Sequence, residues 1–304
     1  MLDGALSTVA TTLTGIKHPH NVQVSHDGAT VYAVSNSDNI VVAIDPATYK
    51  VAAVAATGPA PAHVIDAPNG KVYVTNMGDG TASVYQGPGL QPVGRIQLGD
   101  MPHGLRPAAG GSVIVVANTM AGALDLIDPA ADKSTGTVPV GTGPVQVAVT
   151  SGGQYAYTGI TNPPAVVKVD LAAHKVVGTA TVSASPVQLY LTPDEATVLS
   201  ADQGTAQQPG HMLSVIDTAA MTVRGTVPTG SGPHGVVIDT SGTRAWVTNT
   251  YVNTVSVIDL PTLSVVATVP VGPEPAGISY SPHPPAPAGA ETTQLNIPTP
   301  TPSR

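Results

Sequence analysis

The chain has 304 residues and a formal net charge of −8, and only 10% of its residues are charged. It contains no cysteine, which excludes disulfide bonds and zinc–thiolate sites. The acidic balance offers no basic surface, and no apolar run approaches the ~18 residues that a membrane span needs, so neither a nucleic-acid partner nor a membrane span is expected.

The N-terminal segment, MLDGALSTVATTLTG, lacks the basic and apolar regions of a signal peptide. Within it, LSTVATTLTG at 6–15 aligns without gaps to LSVVATVPVG at 263–272. Because the later segment has the position of a fourth strand in its repeat, the chain is predicted to begin with an outermost strand.

A repeat of about 42 residues follows, and one proline marks each unit. The successive spacings are 42, 41, 42, 42, 47 and 42 residues, at Pro19, Pro61, Pro102, Pro144, Pro186, Pro233 and Pro275. After a first apolar strand, each unit has a second such as KVYVTN at 71–76, a third such as TVSVID at 254–259, and a fourth such as TVPVG at 268–272. Four short strands between Gly, Pro, Asn and Asp turns predict one β-propeller blade per unit.

Counting strands predicts an all-β, seven-bladed propeller over residues 1–281, followed by a Pro-rich tail over residues 282–304. The last blade is expected to be closed by the N-terminal outer strand and a C-terminal inner strand, PAGISYS at 275–281, because joining the ends removes two open sheet edges. Only six clear second and third strands are present, so this blade is incomplete unless TTQLNIP at 292–298 adds a strand. Otherwise the tail is expected to be extended or disordered.

The VYVTN, NTVSVID and TVPVG segments resemble the YVTN-type β-propeller repeat family over residues 6–281. This resemblance implies the fold and a secreted or periplasmic location, but it implies little about activity, because propellers host unrelated functions. The PHG segments at 102–104 and 233–235 are also similar to the innermost-strand motif of the virginiamycin B lyases, although the WFTE segments of those enzymes are missing here.

Most carboxylates have a structural interpretation. One aspartate ends the third strand of each of five units and begins a turn: Asp45, Asp128, Asp170, Asp217 and Asp259. An aspartate in that position accepts hydrogen bonds from backbone N–H groups about two residues later, so these residues are predicted to be turn caps.

The histidines are distributed unevenly within the repeat. His20, His103 and His234 directly follow a repeat proline, and His63 comes one residue later, where the unit is one residue short and the alignment is ambiguous. Equivalent positions of a ring converge on its axis, so these four residues are predicted to form a metal site at the top of the central channel. Three other histidines, His26, His174 and His283, fall in connections on the opposite face.

The predicted cofactor is a divalent or copper ion, with no nucleotide cofactor. Copper is suggested by four methionines in loops of the same face, because a thioether is a soft ligand: Met77, Met101, Met120 and Met212. His18 and Glu274, each just before a repeat proline, are candidates for a supporting or acid–base pair. The alternative is that the histidines only hydrogen-bond a neighbouring blade or line a wet channel.

Two functions are compatible with these features. The first is a monomeric binding propeller that uses the histidine-rich face for a small-molecule ligand or a protein partner. The second is a metal-dependent enzyme, a lyase or an oxidoreductase, in which the same histidines act on a small molecule. The fifth unit is five residues longer than most, and DQGTAQQPGH at 202–211 is predicted to be a functional loop on that face.

Overall fold

The computed structural model describes residues 1–3, 8–285 and 292–300. Every regular element in this part of the chain is a β-strand, and no helix in it is long and apolar enough to cross a membrane. The chain divides into two compact units. The first unit comprises Met1–Pro102 and Ser279–Arg304, and the second comprises His103–Ile278.

The first unit contains four short strands and two four-stranded antiparallel blades. Three of the short strands are β1 (Leu2–Asp3), β2 (Thr8–Val9) and β3 (Thr12–Thr14), and the fourth follows the last blade in the chain. The first blade consists of β4 (Pro19–Val24), β5 (Val31–Ser35), β6 (Ile40–Ile44) and β7 (Val51–Ala56). The second consists of β8 (Pro61–Asp66), β9 (Lys71–Asn76), β10 (Thr81–Gln86) and β11 (Gln91–Gln97).

Four further blades follow the same strand order. The third consists of β12 (Pro102–Pro107), β13 (Ile114–Asn118), β14 (Ala123–Asp128) and β15 (Lys133–Pro139). The fourth consists of β16 (Val147–Val149), β17 (Tyr155–Thr161), β18 (Pro164–Asp170) and β19 (Lys175–Thr181). The fifth consists of β20 (Gln188–Leu191), β21 (Thr197–Gly204), β22 (Pro209–Asp217) and β23 (Thr222–Pro228). The sixth consists of β24 (Pro233–Ile238), β25 (Arg244–Asn249), β26 (Thr254–Asp259) and β27 (Ser264–Pro270), and β28 (Thr292–Gln294) comes last.

The core lies between blades, which is why the middle strands are apolar on both faces. Along β18, Val167 and Val169 pack in a cluster with the third blade, whereas Val166, on the opposite face of the strand, packs in a cluster with the fifth. The outer strands alternate instead between exposed and covered positions, as β27 does. Small β-branched side chains suit this stacking of sheets.

The predicted turn caps are confirmed. The backbone N–H of Ala47 donates to Asp45 Oδ1 at 2.8 Å, and that of Ala219 donates to Asp217 Oδ1 at 2.9 Å. These backbone hydrogen bonds lower the pKa of both carboxyl groups, because they stabilise the charged form. These aspartates therefore serve the turns.

The prediction of seven blades was wrong: the described residues form six. The segment at 275–281 forms no strand, and the predicted outer strand at 6–15 appears as the short strands β2 and β3, with residues 4–7 outside the described part. The described residues supply no second and third strands for a seventh blade. Without these two middle strands, an inner and an outer strand are too far apart to hydrogen-bond to each other, because paired strands must lie about 4.8 Å apart.

Strand β3 pairs instead with the tail. β28 lies parallel to it, with Thr292 opposite Thr12, and the backbone N–H of Leu295 donates to the carbonyl of Thr14 at 2.8 Å. Leu295 is only 4% exposed and packs in a cluster with Ile40 and Val42 of the first blade. The tail thus covers an apolar face of that blade.

Candidate functional site

The strand register determines where each histidine lies in its blade. Pro19 pairs with Ser35 and Pro61 pairs with Asn76, and in both blades regular pairing resumes three residues after the proline. His20 is therefore equivalent to Ala62, and His63 lies one position further along its strand. This register resolves the ambiguous alignment of the second unit.

His20 and His63 are neighbours in the first unit. Their rings meet edge to face, with centroids 5.5 Å apart and an interplanar angle of 78°. His63 is buried, at 1% exposure, and its backbone N–H donates to Thr75 Oγ1 at 3.1 Å. His20 is half-buried, and its Nδ1 lies 2.9 Å from the carbonyl oxygen of Ala62.

His103 repeats the arrangement of His20 in the third blade. Its Nδ1 lies 3.0 Å from the carbonyl oxygen of Val145, and the side chain is buried, at 8% exposure. In both cases the carbonyl belongs to the residue exactly one repeat later, 42 positions along the chain. Hydrogen bonding to a neighbouring blade was the alternative interpretation of these histidines, and His20 and His103 both make such a bond to the next repeat. The 42-residue spacing was the signal that could have identified the carbonyl partners.

These hydrogen bonds determine the tautomer of two rings. A carbonyl oxygen can only accept, so Nδ1 of His20 and of His103 carries the proton, and Nε2 holds the lone pair. Burial lowers the pKa of His20, because desolvation penalises the imidazolium, and this outweighs the opposing effect of the Ala62 carbonyl. The His20 ring is therefore neutral at pH 7, which is the form that binds metal ions.

His20 and His63 bring two imidazoles together within the first unit. Imidazole is a ligand for transition-metal ions, and a neutral ring that is oriented by a carbonyl can coordinate through its other nitrogen. These two residues, called the histidine pair below, are the candidate metal ligands of this unit. His103 belongs to the second unit, where its ring has the same kind of carbonyl partner.

The other predicted site residues differ in burial and in their partners. His234, at the equivalent position of the sixth blade, is half-buried. His18 Nδ1 is hydrogen-bonded to Ser37 Oγ. The backbone N–H of Glu274 donates to Asn253 Oδ1 at 2.9 Å, while its side chain is exposed. Met120 is 73% exposed.

The comparisons with known proteins agree with this architecture. A family model described as YNCE-like beta-propeller matches residues 2–197. The chain belongs to this family. The resemblance to YVTN-type propellers is thereby confirmed, whereas the likeness to the virginiamycin B lyases stays a prediction.

Solved structures are similar to this YNCE-like propeller over most of its length. Hydrazine synthase from Kuenenia stuttgartiensis matches with a TM-score of 0.79 and 21% identity, over 89% of this chain and 92% of that chain. A functionally unknown protein from Desulfotomaculum acetoxidans DSM 771 matches with a TM-score of 0.69 and 16% identity, over 80% and 81% of the two chains. At these identities the likeness shows the fold alone. No curated protein sequence matches the chain significantly.

The glycine of each PHG segment in this YNCE-like propeller has a packing role. A Cβ on Gly104 would lie 2.2 Å from Gln146 Oε1, and one on Gly235 would lie 2.4 Å from the carbonyl oxygen of Ala276. The next repeat approaches so closely that no side chain fits at either position. The glycine is therefore structural, whereas the histidine before it is not required by this contact.

The longer fifth blade forms a regular hairpin. β21 and β22 extend to Gly204 and Pro209, with the N–H of Thr205 donating to the carbonyl of Gln208 at 3.0 Å across the turn. The tip, residues 205–208, is exposed. The extra residues thus lengthen two paired strands, and a functional role for the hairpin stays a prediction.

Proposed function

We propose that this protein binds a first-row transition-metal ion through His20 and His63, the histidine pair. The observation that carries the proposal is the edge-to-face approach of the two rings, with centroids 5.5 Å apart. Imidazole is a common ligand for copper, zinc and nickel, and two imidazoles leave coordination positions for further side chains, water or a ligand.

The surroundings of the rings support this proposal. Metal-binding histidines commonly donate their second ring N–H to a carbonyl, which orients the ring and raises the basicity of the ligating nitrogen. His20 and His103 both have this arrangement, with carbonyl partners at 2.9 and 3.0 Å. The hydrogen bonds to neighbouring repeats are therefore compatible with metal binding, because they occupy Nδ1 and not Nε2.

The donor set favours copper. Divalent copper heads the stability order for nitrogen sites, and two neutral ligands leave the ion's charge uncompensated, so anions or waters are expected in the open positions. We therefore propose a copper-binding propeller, with zinc as the ion that would compete if copper is scarce.

The test is metal analysis of the purified protein, followed by titration with Cu²⁺ and Zn²⁺ by calorimetry. The parent should bind about one ion, and the H20A/H63A variant should bind no ion in the same concentration range. The matched control is H26A/H283A, which removes two exposed histidines and should bind like the parent. Equal metal content in both double variants, or none in the parent after titration, would overturn the proposal.

His103 and His234 are tested separately. Neither belongs to the histidine pair, so H103A and H234A should each retain the bound ion with an affinity within about threefold of the parent value. A loss as large as that of H20A would instead place the substituted residue among the ligands, as its position in the repeat predicts.

A further inference from the structure

A cationic side chain lies on the first strand of the third blade, away from any carboxylate. Arg106 is the only lysine or arginine on the six first strands, β4, β8, β12, β16, β20 and β24. In a propeller these strands line the inside of the fold. Among the described residues, Arg106 makes no ion pair, and its hydrogen bond is from Nη1 to the neighbouring carbonyl of Leu105, at 3.0 Å. A guanidinium has five N–H donors, so most of its hydrogen-bonding capacity is available to a ligand.

The surroundings of Arg106 are unfavourable for an isolated charge. The side chain is half-buried, and desolvation lowers the pKa of its guanidinium, with Tyr190 of β20 acting in the opposite direction. An arginine nevertheless remains protonated in proteins, so the charge persists. A charge that has lost much of its water without gaining a carboxylate requires another counter-ion.

A second donor comes from the strand that carries Tyr190. Gln188 is buried, at 4% exposure, and its Nε2 has no hydrogen-bond partner among the described residues. Gln188 and Tyr190 are two residues apart on β20, so they lie on the same side of that strand. Tyr190 acts on the pKa of the guanidinium, and Arg106 and Gln188 both lie on first strands of the second unit, which line the inside of a propeller.

We propose that Arg106 and Gln188 form a binding site for a small oxyanion, a carboxylate or a phosphate group, within the second unit. Arg106 would supply the charge and a forked pair of donors, the geometry that matches a carboxylate or phosphate. The Gln188 amide would supply a neutral donor from the fifth blade. The site does not depend on the proposed metal, because neither Arg106 nor Gln188 is a proposed metal ligand.

Binding can be measured on the full chain after EDTA treatment and exhaustive dialysis, by calorimetric titration with acetate and separately with inorganic phosphate. Metal removal keeps the result independent of the metal proposal. The parent should bind at least one anion saturably, with a dissociation constant of about 1 mM. The two probes distinguish a carboxylate site from a phosphate site.

Three variants test the assignment. R106Q should weaken binding at least tenfold, and Q188L several-fold. R224Q removes an exposed arginine and should bind like the parent. R106K retains the charge and should bind more weakly than the parent but more tightly than R106Q, and it replaces R106Q if that variant does not fold. The site would be overturned by undiminished binding in the Arg106 variants or by the absence of saturable binding of either anion by the parent. Unchanged binding in Q188L would show that the Gln188 amide is not part of the site.

Discussion

Substitution of Leu295 by alanine tests whether the C-terminal segment stabilises the first blade. Leu295 is 4% exposed and packs in a cluster with Ile40, Val42 and Val54. Its backbone N–H also continues the pairing of β28 with β3 by donating to Thr14. The substitution removes the side chain and leaves this backbone hydrogen bond in place.

The magnitude follows from the packing. Replacing a buried leucine by alanine costs about 2–5 kcal/mol, and the cost is smaller where neighbours can move into the cavity. Several neighbours of Leu295, among them Leu13, Ile16 and Ile297, are only partly buried, so the site can relax. We therefore expect the free energy of unfolding to fall by about 2–3 kcal/mol, which lowers the melting temperature by about 4–8 °C in a chain of this size.

The assay is thermal melting followed by circular dichroism, with urea unfolding as a second measure. T292A is the matched control, because Thr292 is an exposed residue of β28, three positions before Leu295. It should melt within about 1 °C of the parent. An L295A protein that melts together with T292A would refute the reasoning, since it would mean that the tail does not pack on the first blade.

Three further predictions concern the site and its supports. Copper affinity should be nearly constant above pH 7 and fall below about 6.5, where protons compete with the metal ion for the imidazoles. The lowered pKa of His20 should also make the metal-free parent lose stability below that pH, because only the unfolded chain gains this proton, and urea unfolding of H20A should not show this His20 contribution. G235A should lower the melting temperature by several degrees because its Cβ would lie 2.4 Å from a backbone oxygen, whereas G89A, with nothing within 4 Å, should melt like the parent. Deleting Thr205–Pro209 should change melting by less than about 3 °C because the hairpin tip is exposed, and unchanged metal and anion binding in this variant would dispose of a functional role for the hairpin.

The sequence by itself determined the local structure of this protein. The 42-residue repeat, the alternation of apolar residues and the turn aspartates are short-range signals, and they correctly predicted the four strands of each complete blade and caps such as Asp45. The repeat also placed His20 and His103 at equivalent positions, where each one contacts the next repeat. These features are readable because each depends on residues within one repeat or one repeat apart.

Tertiary structure decided the rest. A strand-like segment becomes a strand only where a partner backbone is present, so 275–281 stays irregular and β3 pairs with the distant β28. The contact of His63 with His20 depends on the register of β8 and on the packing of two blades, which the residues of one repeat do not determine. Arg106 is one of eleven lysines and arginines in the sequence, and only its place on a first strand, without a carboxylate beside it, distinguishes it. Pairing, register and burial are non-local, and the residue pattern of a single repeat does not contain them.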